Sequence, residues 1–597
     1  MADLPRQVRV VARRHWRRLL RLRQRIRISD EAIHLLLAGL VGIAGGLINL
    51  AFYVATDLAM RLFLRHRGDP IEVAAELADW QRIVSTTAGG LLAGLVLVIG
   101  HRVAGRTGTT NLLEAVAVGD GRLSFRAGMV KAISSLCTIV SGGSIGREGA
   151  ITQLSAMFSS QLGQVAKSPP YRLRLLVACG AAAGIAAPYN APIAGAVFAA
   201  MIVLGNFSMT TFAPLVTASA VSCVVSRGFF GMDPLYEVPA FSFTRIEDLP
   251  WFLVLGSLCG LLGAFFLRAL HASESLFSRI HAPLYARMAL GGLLVGIIAI
   301  EYPEVWGNGY LAANRILQDH YLLPLLIGLF FAKLAATLIT VGSGAVGGVF
   351  TPTLFLGTAL GSVCGSLLHY AGLATELPTA AFALVGMSSV LAGTTHSPLL
   401  AVIMVFEITL DYSLMPAVML GCVVSALVAR RLHPLSVYAE TRHLQELAQR
   451  RETDHTGAAT EQTVGDVMRP PVPPLRVDEP LRSIAKRFLA TSNNYFPVVD
   501  AEMRLVGMVA LQDLKEFLDP GEEVSIVIAY DVMRPPPPCL VPQQRLVEVL
   551  AMVLGSELRN IPVVDSLEEM HLVGSVQRSE LLALYADAIA RAGGTPL

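Results

Sequence analysis

Between about residues 34 and 432 the chain alternates long apolar runs with short polar breaks. The runs cover 34–63, 84–104, 128–140, 150–165, 174–204, 211–226, 250–270, 286–301, 323–341, 352–372, 378–409 and 415–432. A helix needs about 20 apolar residues to cross a bilayer. Several runs are shorter, and many are interrupted by Gly, Pro or Asn. The pattern therefore predicts broken and tilted helices, which hold at membrane depth only where the freed backbone faces protein or a watery cavity. Beyond residue 440 a polar stretch gives way to short alternating segments, the pattern of a soluble α/β unit.

Composition agrees. Of 597 residues 53% are hydrophobic and 15% charged, which suits a polytopic membrane protein with a soluble attachment and not a large soluble enzyme. Net charge is +2, but residues 6–27 hold ten arginines, from Arg6 to Arg27. The positive-inside rule keeps this arm in the cytoplasm, either on anionic lipid or as a solvated basic helix. The apolar stretch after it is long and continues into further membrane segments, which argues against a cleaved transit peptide. The seven cysteines form no CxxC pair, so neither a disulfide framework nor a metal site is indicated.

The membrane part carries a weak internal duplication. Ser144-Ile145-Gly146 before Arg147 matches Ala345-Val346-Gly347 before Gly348, and Asn190-Ala191-Pro192 matches His396-Ser397-Pro398. Paired interrupted segments are typical of transporter folds with a site near the midplane. The soluble part has its own repeat. Val467-Met468-Arg469-Pro470-Pro471 recurs as Val532-Met533-Arg534-Pro535-Pro536, and Pro497-Val498-Val499-Asp500 recurs as Pro562-Val563-Val564-Asp565. Two copies of one α/β unit follow, each covering the other's apolar face.

The most informative segment is GSIGREGA, Gly143 to Ala150. An arginine and a glutamate at membrane depth are functional suspects, because unpaired charges there are costly. An apolar helical run follows, Ile151 to Leu162. A helix N-terminus favours an anion, and Glu148 would be a built-in one. Arg147 and Glu148 could instead form a structural ion pair, although adjacent helical residues point in different directions. Glycine pairs such as Gly89-Gly90 and Gly291-Gly292 read as helix-packing sites.

GREG, the later GGVFTP (Gly347 to Pro352), AGIAAPYNAPIAGAVF (183–198), FEITLDY (406–412) and SVY (436–438) resemble, in order, the CLC family of chloride channels and chloride/proton exchangers. The tract from Gly142 to Gly205 is most similar to the bacterial branch labelled voltage-gated-type chloride channels. The C-terminal tandem resembles a CBS-domain pair. The implied fold is an α-helical polytopic membrane protein with an inverted internal repeat, followed by an α/β CBS tandem. The expected domains are a basic arm 1–33, a transport domain 34–440, a linker 441–461 and CBS copies 462–520 and 527–587.

The resemblance assigns roles. The anion, chloride by family, would be held by backbone amides and hydroxyls around Thr107, Gly108, Gly146, Arg147, Gly149, Val349, Phe350 and Tyr438. Glu148 would be the gate. Tyr438 reads otherwise as an interfacial tyrosine. Thr107 stands where the family has serine and Thr110 where it has proline, so nitrate or fluoride stay open as substrates. Glu407 is expected to be structural. Exchangers of the family carry an inner glutamate four residues after the Phe of the PIAGAVF-like segment. Here that position is Ile202, preceded by Met201, and neither accepts a proton.

The resemblance thus implies gated anion transport, channel-like at Ile202, with proton-coupled exchange through a water path as the alternative. A membrane zinc protease would need HExxH, which does not occur, and a magnesium transporter would need a carboxylate-rich pore. No enzyme activity, metal or nucleic acid partner is expected. In CBS pairs an adenine nucleotide often binds between copies, held by Ser or Thr and an Asp three residues on. Here Ala510 with Asp513, and Gln577 with Glu580, leave only Asp513 in place. The family implies a homodimer in membrane lipid, here the bacterial inner (plasma) membrane, with both termini cytoplasmic.

Overall fold

The computed structural model describes residues 30–438 and 463–581, apart from 67, 105–111, 118, 167, 206, 232–234, 240–245, 411, 413, 492, 494, 518–526, 557 and 579–580. The chain divides into two compact units, Met1–Gln445 and Glu446–Leu597.

The first unit is helical. Among the described residues, eight helices are long and apolar enough to cross a membrane, from His34–Phe63 to Met415–Leu432. Large apolar side chains such as Leu36, Leu62, Phe63, Val224 and Leu427 stay exposed on them, as expected of surfaces made for lipid. Inside, alanine- and glycine-rich helices pack closely. Gly357 and Gly386 face each other where Phe350–Tyr370 meets Thr379–Thr395, and a Cβ on either would come within 2.3 Å of the other's carbonyl oxygen. Gly292 of Leu284–Glu301 lies against the Thr86 carbonyl of Asp79–Ala104, where a Cβ would come within 2.1 Å.

Two runs that read as continuous are broken in the structure. The 174–204 run splits at Asn190, and the 378–409 run at His396. Both residues are left-handed, with φ 56° in each case. The next residues, Ala191 and Ser397, are at φ −120° and −129°, and Pro192 and Pro398 each start a new helix. Proline at the first position of a helix restarts it at little cost. The duplication seen in sequence is therefore repeated in dihedral angles.

The first sequence match needs a shift of one residue. Helix Phe125–Val140 ends at Ser141, whose hydroxyl donates to the Thr138 carbonyl (3.1 Å). Helix Leu323–Gly342 ends at Ser343, whose hydroxyl donates to the Thr340 carbonyl (2.8 Å). Gly142 and Gly344 follow at φ 97° and 103°, and the next helices begin at Glu148 and Phe350. Gly146 thus corresponds to Gly348, not to Gly347. The doubled glycine let the sequence match slip.

Buried cations are satisfied by carbonyls. Arg82 donates to Ala74, Ala299 and Ile300, and Lys333 donates to Val305 and Gly307 at 2.9 Å each. Lys333 thereby pins the turn that leads to Asn308 and Tyr310.

The second unit holds two similar copies. In the first, strand Tyr495–Val499 pairs in parallel with Leu475–Arg476 and antiparallel with Leu505–Ala510, with helix Leu481–Ala490 between the first two strands in sequence. In the second, Asn560–Val564 pairs antiparallel with Leu572–Gln577 behind helix Leu546–Gly555. The repeated VMR segments cross over. Arg469 exchanges two backbone hydrogen bonds with Ser575 at 2.9 Å each, and Arg534 does the same with Met508 at 2.8 and 3.0 Å. Each copy thus lends an edge segment to the other.

Candidate functional site

The two equivalent helix starts, Glu148 and Phe350, meet head to head. The residues before them are joined by reciprocal backbone bonds: Gly146 N–H to the Gly348 carbonyl (2.7 Å) and Gly348 N–H to the Gly146 carbonyl (3.0 Å). Four N–H groups at each helix start lack intrahelical partners, so the junction concentrates positive partial charge.

The Glu148 side chain lies in this junction, 3% exposed. Its Oε1 accepts from the Thr351 backbone N–H and its Oε2 from the Thr351 hydroxyl, both at 3.2 Å. The Thr351 hydroxyl in turn meets the Tyr189 hydroxyl at 2.6 Å. Two glycines form the cradle. A Cβ on Gly146 would lie 1.9 Å from Glu148 Oε2, and one on Gly348 would lie 2.3 Å from Oε1. Gly149 is pressed against Gly348, where a Cβ would come within 2.8 Å of its nitrogen. Any side chain at Gly146 or Gly348 would occupy the carboxylate's place.

Val349 is the N-cap and Phe350 the first residue of the facing helix. The hydrogen bonds on the carboxylate come from the residue after them. Thr351 and Tyr189 are therefore contributors that the sequence reading passed over. Thr351 lies inside the GGVFTP string, and its signal was a third free N–H plus a hydroxyl at a helix start. Tyr189 had no signal beyond preceding Asn190.

Arg147 does not pair with Glu148 among the described residues. Its guanidinium lies over the Tyr53 ring, 5.6 Å from the centroid. A small pocket beside the carboxylate is lined by Arg147, Glu148, Tyr189, Tyr236, Asn308 and Thr351, among others. Arg147, Pro188, Leu235 and Tyr310 also line a larger cleft that adds Asn190 and Arg227. Among the described residues the cleft's charged lining groups are Arg147 and Arg227.

Tyr438 packs edge-on against Phe198, with centroids 5.6 Å apart, at the end of helix Pro192–Phe198. Its neighbour Val437 donates to the Thr394 carbonyl at 3.0 Å. Tyr438 is thus packed within the helical unit. Met201 and Ile202 sit in a π-helical turn, Ala199–Val203, and Met201 Sδ accepts from the Ser397 hydroxyl at 3.5 Å. Glu407 accepts from the N–H groups of Ile193 (2.9 Å) and Ala194 (2.7 Å), capping the Pro192–Phe198 helix. Thr107, Gly108 and Thr110 lie outside the described residues, as does Glu580.

In the second unit Asp513 is committed. One oxygen accepts from the Ala510 N–H at 3.0 Å and the other pairs with Arg534.

Comparison with known proteins identifies the family. Residues 88–430 match the voltage gated chloride channel family, and residues 464–520 and 529–587 match the CBS domain. A ClcB-like protein of Ralstonia nicotianae is 43% identical over 414 residues, covering 68% of this chain and 95% of its own. The voltage-gated ClC-type chloride channel ClcB of Escherichia coli is 36% identical over 410 residues, covering 68% and 98%. Two solved structures share the fold. A slow cyanobacterial Cl−/H+ antiporter has TM-score 0.62 at 23% identity, over 71% of this chain and 99% of its own. A eukaryotic CLC transporter has TM-score 0.57 at 19% identity, over 92% and 98%. With its duplicated helix starts and a glutamate between them, the chain belongs to the voltage gated chloride channel family and carries two CBS domains.

Proposed function

We propose that the protein conducts chloride across a bacterial inner membrane, as a homodimer with both termini cytoplasmic, through a path that the Glu148 side chain closes. The observation that carries this reading is the buried carboxylate held at two joined helix starts by donors that would serve an anion equally well. The relatives' names supply the anion. Thr107, Gly108, Val349, Phe350 and Tyr438 are proposed to line the path further along, with the Arg147–Arg227 cleft as its outer entrance.

The closed state is electrostatic. A charged carboxylate competes with chloride for the same N–H and O–H groups. Protonation removes the charge that those donors hold, and the side chain leaves. A concentrated anion achieves the same by displacement. Flux should then rise as external pH falls.

Ile202 favours a channel, since an aliphatic side chain cannot hand a proton inward. The second reading is chloride/proton exchange, kept because a solved structure of this fold is an antiporter and a chain of waters could replace the missing acid. Reconstitution in liposomes separates them. In a channel an imposed chloride gradient leaves protons at equilibrium, whereas in an exchanger it drives them uphill. Flux of neither ion would end the proposal.

An adenine nucleotide fits the tandem poorly. Ala510 and Gln577 offer no hydroxyl, and Asp513 is already held by Arg534. We propose a structural role for the pair, and calorimetry with AMP and ATP measures it. Micromolar binding would overturn that role.

A further inference from the structure

We infer that the Thr351 hydroxyl, set by Tyr189, is a positioning device that latches Glu148 in its closed place and sets the pH at which the path opens. The inference rests on Glu148 being the gate and goes beyond it, because backbone amides alone would suffice for that role.

The direction of the hydrogen bonds carries the argument. A carboxylate can only accept, so the Thr351 hydroxyl must donate its single proton to Oε2 across the 3.2 Å contact. Its oxygen is then free to accept, and the Tyr189 hydroxyl at 2.6 Å must be the donor. Both are buried, Tyr189 at 4% and Thr351 at 3% exposure, so water does not readily replace either. Tyr189 is itself fixed, since its ring lies 5.4 Å from that of Phe350. The two hydroxyls form a short chain with one orientation while Glu148 is charged.

When Glu148 takes a proton, the chain can reverse. The acid donates to Thr351, and Thr351 donates to Tyr189. The Tyr189 proton then has no acceptor among the described residues, and a hydrogen bond to a charged carboxylate is roughly twice as strong as a neutral one. The latch therefore favours the charged, closed form. It adds a donor to Oε2, beside the amide on Oε1 that every variant at position 351 retains.

The groups facing Glu148 are Arg147 beside it, Tyr189, Tyr236 and Tyr310 around the pocket, and Tyr438 near the end of the membrane unit. Apart from Glu148 these are phenols and one guanidinium, with no second carboxylate or imidazole among the described residues lining the pocket.

The test is the pH profile of chloride flux from liposomes holding the full-length protein. In Thr351→Val, which keeps shape and loses the hydroxyl, the half-maximal pH should move up by about one unit, the equivalent of one hydrogen bond to a charged group. Tyr189→Phe should move it the same way by less, and Thr351→Ser should restore the original profile. A merely structural role would change yield or maximal flux and leave the midpoint in place. Glu148→Ala is the control for the underlying reading. If its flux still follows pH, Glu148 is not the gate and the inference falls with it. If Glu148→Ala is flat while Thr351→Val keeps the original midpoint, the gate stands and the latch is wrong.

Discussion

Two glutamates of the membrane unit end at helix starts, and they are held differently. Glu407 reaches across from its own helix to cap Pro192–Phe198, taking the N–H groups of Ile193 and Ala194 at 2.9 and 2.7 Å. Glu148 folds back between two helix starts, takes one N–H and one hydroxyl at 3.2 Å each, and borders a pocket. The electrostatics are alike. The geometry differs: short bonds to two helix-start amides at Glu407, against longer bonds beside a small pocket at Glu148, as a fastener and the proposed gate would need. A buried acid thus says little until its partners and its exit are known.

The largest effect is expected at the fastener. Glu407→Ala leaves the buried Ala194 N–H without its acceptor, at about 1–3 kcal/mol, and the part-buried Ile193 N–H as well, at less. The protein should lose yield and thermal stability in detergent, measured by size exclusion and melting. Glu407→Gln keeps one acceptor and should recover part of both. A stable, fully active Glu407→Ala would erase the distinction between the two sites.

Gly348→Ala strikes the other side. Its Cβ would occupy the place of Glu148 Oε1, so the carboxylate should be expelled and flux should become insensitive to pH, while the melting temperature changes less than in Glu407→Ala. A pH profile like that of the unaltered protein would mean that the carboxylate rests elsewhere.

The smallest effect belongs to a third carboxylate at a helix start, this one in water. Asp466 caps the turn Val464–Val467, accepting from the N–H (2.8 Å) and hydroxyl (2.9 Å) of Thr463. Those donors hold its carboxyl below the usual carboxylate range. A depressed value means the stabilisation is present above the unfolded pKa and is lost as pH falls through the folded one. Asp466→Asn should speed amide exchange at Thr463 and the following turn at neutral pH, and the difference should vanish in strong acid.

Much of this was legible beforehand because it depends on residues with few uses. Proline after a left-handed residue marks a helix restart, so Asn190-Ala191-Pro192 and His396-Ser397-Pro398 announced the internal repeat. An acid among apolar residues announced Glu148. The VMRPP strings announced the tandem, though not that each would pair with the opposite copy. Less legible were features with many innocent explanations. Thr351 and Tyr189 resemble ordinary core residues, since buried threonine hydroxyls usually bond back to their own helix, as Thr358 does to Leu354. The repeat register was lost by one residue because Gly347 and Gly348 cannot be told apart without their dihedral angles and partners.

The stitch between Gly146 and Gly348 limits how the molecule can work. Two peptide units, one from each half, grip each other through a pair of reciprocal backbone hydrogen bonds. A rigid swing of one half against the other would have to break both bonds. The proposed opening, a change in the Glu148 rotamer, asks for no such swing and leaves the scaffold around it still.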